Sequence, residues 1–112
     1  MAADRIRRVN EAVREVLSAR IAGGLSDPRI GFVTVTSVDT SPDLRHARVY
    51  VSVLGSESER ADTLAGLASA HGLLQQSIAS ELRLKRTPTL EFRFDVSVDR
   101  GMRITELLQE DR

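Results

Sequence analysis

The sequence predicts a single α+β domain in the order helix, strand, strand, helix, kink, helix, strand, with the helices on one face of a three-stranded sheet. Apolar residues recur at helical spacing in three segments, and three others are rich in β-branched residues or alternate between apolar and polar side chains. The run strand, helix, helix, strand indicates a crossover onto one sheet. A length of 112 residues allows one modest core. Residues 1–112 therefore form one domain, with a short tail from about residue 100.

The first segment has the periodicity of an amphipathic helix, with Asp4 as the expected N-cap and Gly23-Gly24 as the expected stop. Its apolar stripe consists of Ile6, Val9, Val13, Val16, Leu17 and Ile21.

Three arginines lie on the polar side of this helix. Arg7 and Arg14 project on nearly one line, with Arg8 nearby, because successive residues turn by about 100°. Glu11 and Glu15 share that side. The arginines therefore either form ion pairs within a solvated helix face or bind an anionic partner, and the sequence leaves both interpretations open.

Two strands follow the loop SDPRIG. Residues 32–38 and 47–53 are rich in β-branched residues, and the second run alternates between apolar and polar side chains. Ser41-Pro42-Asp43, in the connection between them, is typical of a turn. We predict an antiparallel hairpin with a long loop and one buried face.

A kinked pair of helices is expected next. GSESER is interpreted as a polar acidic loop, with helix from about Asp62. Gly72 falls between two apolar stripes, which predicts a tight kink at Ala70-His71-Gly72. Backbone N–H groups at the start of the second helix could bind a phosphate, with His71 donating a further hydrogen bond. Equally, the glycine could serve only to change the helix direction.

Basic residues close the second helix of the pair. Arg83, Lys85 and Arg86 either bind phosphate or interact with the negative C-terminus of that helix. Residues 90–96, LEFRFDV, alternate cleanly and predict the third strand. The tail GMRITELLQEDR is expected to form a short helix with Ile104, Leu107 and Leu108 as its apolar contacts.

Catalysis has no support in the sequence. There is no cysteine, and His46 and His71 do not have metal-ligand spacing. No nucleophile elbow or phosphate-binding glycine loop is present. We therefore expect no catalytic residues, no metal and no cofactor. The charged N-terminus and the lack of a long apolar run predict a cytoplasmic protein without a membrane segment.

The formal net charge is zero, which taken whole argues against a polybasic nucleic-acid-binding protein. The charge is uneven along the chain, however. Residues 1–29 and 63–93 each carry two more basic than acidic residues, whereas residues 30–62 and 94–112 each carry two more acidic ones. Fifteen of the sixteen basic residues are arginine, which binds phosphate bidentately. The domain could therefore have one basic face.

Four stretches of the chain carry a family resemblance: the basic first helix leading to SDPRIGFVTVTSV, the hairpin SPDLRHARVYVSVLG, the run SAHGLLQQSIASELRLKRTPTLEFRFD, and GMRITELL. Together they resemble the ribosome-binding factor A family of bacterial small-subunit assembly factors. In order, they cover nearly all of residues 4–108. The resemblance implies a type II KH-like fold in which an Ala-x-Gly kink, here Ala70-His71-Gly72, replaces the usual GxxG loop.

The same resemblance implies the partners and the function. The protein would be a monomer that binds the free 30S subunit and its 16S rRNA in late maturation, without catalysis. It would support processing of the rRNA 5′ end through the 5′-terminal helix region, with a maturation GTPase promoting release. RNA contact is carried over to Arg7, Arg8, Arg14, Ala70, His71, Gly72, Arg83, Lys85, Arg86 and Arg103. A rival hypothesis is a protein-interaction module that uses the free sheet face or the acidic residues Glu57, Glu59 and Asp62.

Overall fold

A computed structural model describes residues 2–96 of the chain. Its elements are α1 (Ala2–Ala22), β1 (Val33–Thr40), β2 (His46–Val53), α2 (Glu57–Ser69), α3 (His71–Glu81) and β3 (Thr89–Phe94). This order confirms the predicted α+β architecture. The expected C-terminal helix and Arg103 lie outside the described residues.

The three strands form one sheet in the order β1-β2-β3. β1 and β2 are antiparallel, as predicted for a hairpin, whereas β2 and β3 are parallel. The core lies between one face of this sheet and the helices. Its fully buried side chains include Val13, Leu17, Val49, Val51, Leu67, Leu74 and Ile78. The predicted apolar stripes of the helices therefore do face the sheet.

Helix α1 ends where the sequence predicts but begins earlier. Gly24 adopts a φ of +93°, and its N–H donates to Ile21 O at 3.0 Å, which closes the helix with a residue that tolerates the left-handed region. Asp4 is not the N-cap, because the helix begins at Ala2. Asp4 lies instead in the first turn, where a carboxylate interacts favourably with the positive helix end.

A β-bulge at Thr36 explains the burial pattern of β1. The register between β1 and β2 shifts between Val35 and Ser37. The extra residue lets Val35 and Val38 both face the core, although their spacing of three breaks the strand alternation. Thr36 Oγ1 donates to Asp95 Oδ2 at 2.6 Å, and so links the bulge to the residue after β3.

The predicted acidic loop is largely the start of α2. Ser56 is its N-cap and Glu59 its third residue, and their side chains bond reciprocally to each other's backbone N–H groups. This capping box begins the helix at Glu57 rather than near Asp62. The acidic residues Glu57 and Glu59 occupy the first turn, where their charge is favourable.

The kink is centred on Ala70 rather than on the glycine. Ala70 has φ −87° and ψ 3°, and it is both the C-cap of α2 and the N-cap of α3. Its N–H donates to Gly66 O at 3.0 Å and Leu67 O at 3.1 Å. Gly72 already lies inside α3 and has no left-handed φ. The predicted kink exists, but the change of direction does not require glycine.

Two further predictions are corrected at the C-terminal end of the described chain. Helix α3 ends at Glu81 and has no basic residue in its last turn, so the cluster beginning at Arg83 does not cap it. Strand β3 ends at Phe94, and Val96 is 56% exposed instead of facing the core. Among the described strands, β3 lies at the edge of the sheet and pairs with β2, and Val96 falls beyond the last paired residue, Phe94.

Candidate nucleic-acid interface

The predicted arginines of α1 differ in how they are partnered. Arg7 is 82% exposed and forms a long ion pair with Asp4 at 3.4 Å. Arg14 is only 34% exposed and makes a forked contact with the Glu11 carboxylate. Hydrogen bonding to the Arg14 guanidinium lowers the pKa of Glu11, and the same contact raises the pKa of Arg14. Arg8 is exposed and has no side-chain hydrogen bond or ion pair within residues 2–96.

The surface of the kink is open at Gly72, and one ring nitrogen of His71 is already hydrogen-bonded. A Cβ added at Gly72 would meet nothing within 4 Å, so a large partner can approach the backbone there. His71 is exposed, and its Nδ1 lies 2.8 Å from Ala68 O. Because a carbonyl oxygen only accepts, Nδ1 carries the proton.

That hydrogen bond limits what His71 can offer an anion. In the neutral ring with Nδ1 protonated, Nε2 is an acceptor, and it can donate only in the imidazolium form. The predicted donation from His71 to phosphate therefore requires a protonated ring. The kink backbone and the imidazolium together are suited to an anion, whereas the neutral ring is not.

The segment before β1 holds the kink in place. Arg29 donates to Ser69 Oγ at 3.0 Å and to Asp27 Oδ2 at 2.6 Å. The buried Thr63 hydroxyl accepts from Gly31 N–H at 3.2 Å and donates to Arg29 O at 3.3 Å. These bonds join residues 27–31 to α2 at two positions, Thr63 and Ser69. Ser69 is the residue next to the kink.

The basic cluster after α3 lies in a loop that spans residues 82–88. Gln75 Nε2 donates to Pro88 O at 3.0 Å, which ties the end of this loop back to α3. Arg83, Lys85 and Arg86 have no side-chain hydrogen bond or ion pair in the described part of the chain. Their charges are available to a partner.

One end of the sheet gathers cations from three elements. Asn10 Oδ1 accepts from Thr40 N–H at 2.8 Å, Thr40 pairs with Ala47, and Ala47 pairs with Leu90. These residues form a row across the domain. The hairpin loop and the 82–88 loop both lie beyond this row, because β2 and β3 are parallel and start there.

The first helix reaches the same end. Val13 and Leu17, which follow Asn10, are fully buried over the sheet. The residues before Asn10 therefore extend towards the hairpin loop, and they include Arg7 and Arg8. The structure thus brings these two arginines and the 83–86 cluster to the hairpin end of the sheet. The kink, in contrast, is bonded to residues 27–31, which precede β1.

Two residues at this end were not among the predicted RNA contacts. Arg45 and His46 line a depression together with Arg86. Their position at the start of β2 follows from the sequence, but the parallel pairing that places Arg86 in the same depression does not. Within residues 2–96, no group of three or more His, Asp and Glu side chains could hold a metal ion. No helix of this part is long and apolar enough to cross a membrane.

Comparison with known proteins assigns the family. The family model for ribosome-binding factor A matches residues 5–108. The chain belongs to this family. The ribosome-binding factor A of Anaeromyxobacter dehalogenans strain 2CP-C is 54% identical over 110 residues, which cover 97% of this chain and 80% of the relative.

Solved structures of ribosome-binding factor A have the same fold. The crystal structure of the protein from Thermus thermophilus superimposes with a TM-score of 0.70 at 30% identity, over 79% of this chain and 93% of that one. A homology model of the Thermus thermophilus protein, fitted into the cryo-EM map of a 30S complex, has a TM-score of 0.62 at 30% identity. That alignment covers 76% of this chain and 89% of the fitted one.

Proposed function

We propose that this chain is a ribosome-assembly factor that binds the free 30S subunit in late maturation. The observation that carries the proposal is the family match over residues 5–108, joined to a relative fitted into a 30S complex. The finer role follows from the resemblance. The protein supports processing of the 16S rRNA 5′ end, through the 5′-terminal helix region, and a maturation GTPase promotes its release. It acts in the cytoplasm as a monomer.

The geometry supports a binding function rather than catalysis. The exposed cations at the hairpin end of the sheet come from α1 and from the 82–88 loop, and most have no carboxylate partner in the described chain. Arginines in this state can form charge-assisted hydrogen bonds with phosphate. Because α1 packs on the sheet and the 82–88 loop is tied to α3, the backbone positions that carry these cations have a defined spacing, along which phosphates of an RNA can bind.

Sedimentation with ribosomal subunits tests this proposal. Purified 30S subunits are mixed with the protein and separated on sucrose gradients at low and high salt. We expect the protein in the 30S fraction at low salt and less of it at high salt. Salt cations bind to the rRNA phosphates and so compete with the arginine and lysine side chains of the protein. Equal amounts on free subunits and on translating ribosomes would overturn the assembly role.

A triple substitution separates the two hypotheses left open by the sequence. Arg83→Ala, Lys85→Ala and Arg86→Ala together should abolish 30S binding. The control is Arg48→Ala with Arg93→Ala, which removes two cations from the sheet face opposite the helices, where both contact Glu91. A protein-interaction module using that face would show the opposite pattern, with the control impaired and the triple variant unaffected.

Processing is tested in cells depleted of the protein. We expect 16S rRNA with unprocessed 5′ ends to accumulate, as measured by primer extension. The wild-type chain should restore the mature end and the triple variant should not. Normal 5′ ends during depletion would contradict the processing role while leaving 30S binding intact.

A further inference from the structure

A depression at the hairpin end of the sheet is lined by groups that bind phosphate. Its volume is about 460 Å³, and its walls are Arg45, His46, Arg86, Thr87 and Thr89. The cations come from two loops that are distant in sequence. Arginine forks and threonine hydroxyls are donors that match phosphate oxygens.

Backbone hydrogen bonds hold the two loops together. Thr89 N–H donates to Arg45 O at 2.8 Å, which joins the start of β3 to the hairpin loop. Ser41 N–H donates to His46 O at 2.8 Å, and Ser41 Oγ accepts from His46 N–H at 3.1 Å. The backbone under Arg45 and His46 is therefore fixed before any ligand arrives, which lowers the ordering cost of binding.

The arginines of the depression are available to a ligand. Arg86 has no side-chain partner within residues 2–96. Arg45 Nε lies 3.7 Å from Asp43 Oδ2, and both side chains are 59% exposed. Asp43 is held more directly by the Ser41 hydroxyl at 2.6 Å and the Arg45 N–H at 3.0 Å, and these bonds are the main reason that its pKa is lowered. The Arg45 terminal nitrogens remain free to donate.

Nearby carboxylates offset only part of this charge, because Asp43 lies beside Arg45 but Arg86 has no carboxylate partner within residues 2–96. Glu91 accepts from Arg93 at 2.7 Å and lies 3.8 Å from Arg48, so its charge is balanced on the sheet face opposite the helices. The depression therefore keeps a local excess of positive charge although the whole chain is neutral.

We propose that this depression binds a phosphodiester group of an RNA backbone, with Arg45 and Arg86 as the forked donors and His46, Thr87 and Thr89 around it. The inference rests on the proposed function and adds Arg45 and His46 to the contact surface. A backbone phosphate fits better than a free anion, because the arginines are exposed and Arg7 and Arg8 continue the positive surface at the same end. Successive phosphates of one RNA strand could contact the depression and then Arg7 and Arg8.

The test is the salt dependence of binding to a short single-stranded RNA of mixed sequence. Arg45→Gln with Arg86→Gln should weaken binding about tenfold, the loss expected for a charged hydrogen bond. The slope of log affinity against log salt should fall by about 0.7, the value for one phosphate on a single strand. The matched control, Arg48→Gln with Arg93→Gln, should change neither. Equal effects of the two pairs would overturn the site.

A second measurement distinguishes backbone phosphate from free phosphate. The Nε–H signals of Arg45 and Arg86 are followed by NMR during titration with the RNA or with inorganic phosphate. Shifts at much lower concentrations of RNA support the proposal. If RNA and inorganic phosphate shift these signals equally at the same phosphate concentration, the depression binds free anions and the proposal is wrong. If RNA causes no shift, the depression does not bind RNA.

The failure of this inference differs from the failure of the proposed function. If the wild type and both double variants sediment equally with 30S subunits, the depression does not contact rRNA and the assembly role stands. If the wild type does not sediment with 30S subunits but the RNA titrations behave as expected, the assembly role fails and the phosphate site stands.

Discussion

Two glycines near the kink, Gly66 and Gly72, have opposite surroundings. A Cβ at Gly66 would come within 2.6 Å of Ile30 Cγ1, whereas one at Gly72 would meet nothing within 4 Å. Gly66→Ala should destabilise the protein by about 1 kcal/mol net, because overpacking outweighs the better helix propensity of alanine. Thermal unfolding followed by circular dichroism should show a melting temperature lower by about 4 °C.

Gly72→Ala is the matched control for packing and a test of the kink surface. It should leave the melting temperature unchanged or raise it, because alanine is the better helix former. If RNA approaches the kink backbone, 30S binding should nevertheless weaken. A Gly72→Ala variant that binds 30S like the wild type would remove the kink from the contact surface.

The Asp27 carboxylate makes stability depend on acid pH. The Arg29 side chain and then its N–H hold the pKa of Asp27 at about 2, below the ordinary value of 3.8. A carboxyl group with a lowered folded-state pKa stabilises the protein above its ordinary pKa, and this contribution is lost as pH falls from about 4 to 2. The melting temperature of wild type should therefore decline more steeply over that range than that of Asp27→Asn. Parallel curves would contradict the coupling.

At the scale of elements, helix α2 depends on its capping box. Ser56 Oγ accepts from Glu59 N–H at 3.2 Å, and Glu59 Oε1 accepts from Ser56 N–H at 3.2 Å. Ser56→Ala should reduce the free energy of unfolding by about 1 kcal/mol, measured by urea denaturation. Ser58→Ala, an exposed position in the same turn, is the control and should cost nothing. Equal losses in the two variants would show that the cap is not the cause.

Helix starts, bulges and kinks follow less directly from the sequence than the helices and strands themselves do. The motif Ser-x-x-Glu at Ser56–Glu59 is a capping box that indicates the start of a helix. The polar, acidic composition of GSESER favours a loop instead, and so points to a later start. The bulge at Thr36 had no such signal, because a bulge is defined by the partner strand. The kink lies within the predicted Ala70-His71-Gly72, although Ala70 rather than Gly72 carries it.

At the scale of the whole molecule, the zero net charge is compatible with a local basic surface. Arg7, Arg8 and the 83–86 cluster lie towards one end of the sheet, while acidic residues such as Glu57 and Glu59 occupy the first turn of α2, which follows the other end of β2. Binding of an anionic partner depends on such local potentials and not on the total.

The partnering of the arginines predicts unequal roles in 30S binding. Arg8 is exposed and unpaired among residues 2–96, whereas Arg14 is partly buried and bound to Glu11. Arg14 must give up that contact to bind phosphate, so Arg8→Gln should weaken 30S binding more than Arg14→Gln does. Titration by sedimentation measures both affinities. A larger loss for Arg14→Gln would mean that RNA breaks the Glu11 pair.

Local sequence patterns are enough to establish the order of the elements, the buried stripes and the family. These properties depend on short-range periodicity and on motifs of contiguous residues, such as SPDLRHARVYVSVLG, which can be recognised without the structure. The three-dimensional packing is needed to show that β3 lies parallel to β2 and that Arg86 therefore lines the same depression as Arg45 and His46. It also shows that Arg14 is paired whereas Arg8 is not, within residues 2–96. Contacts between residues 40 positions apart depend on how the crossover packs, and local patterns carry no information about that packing.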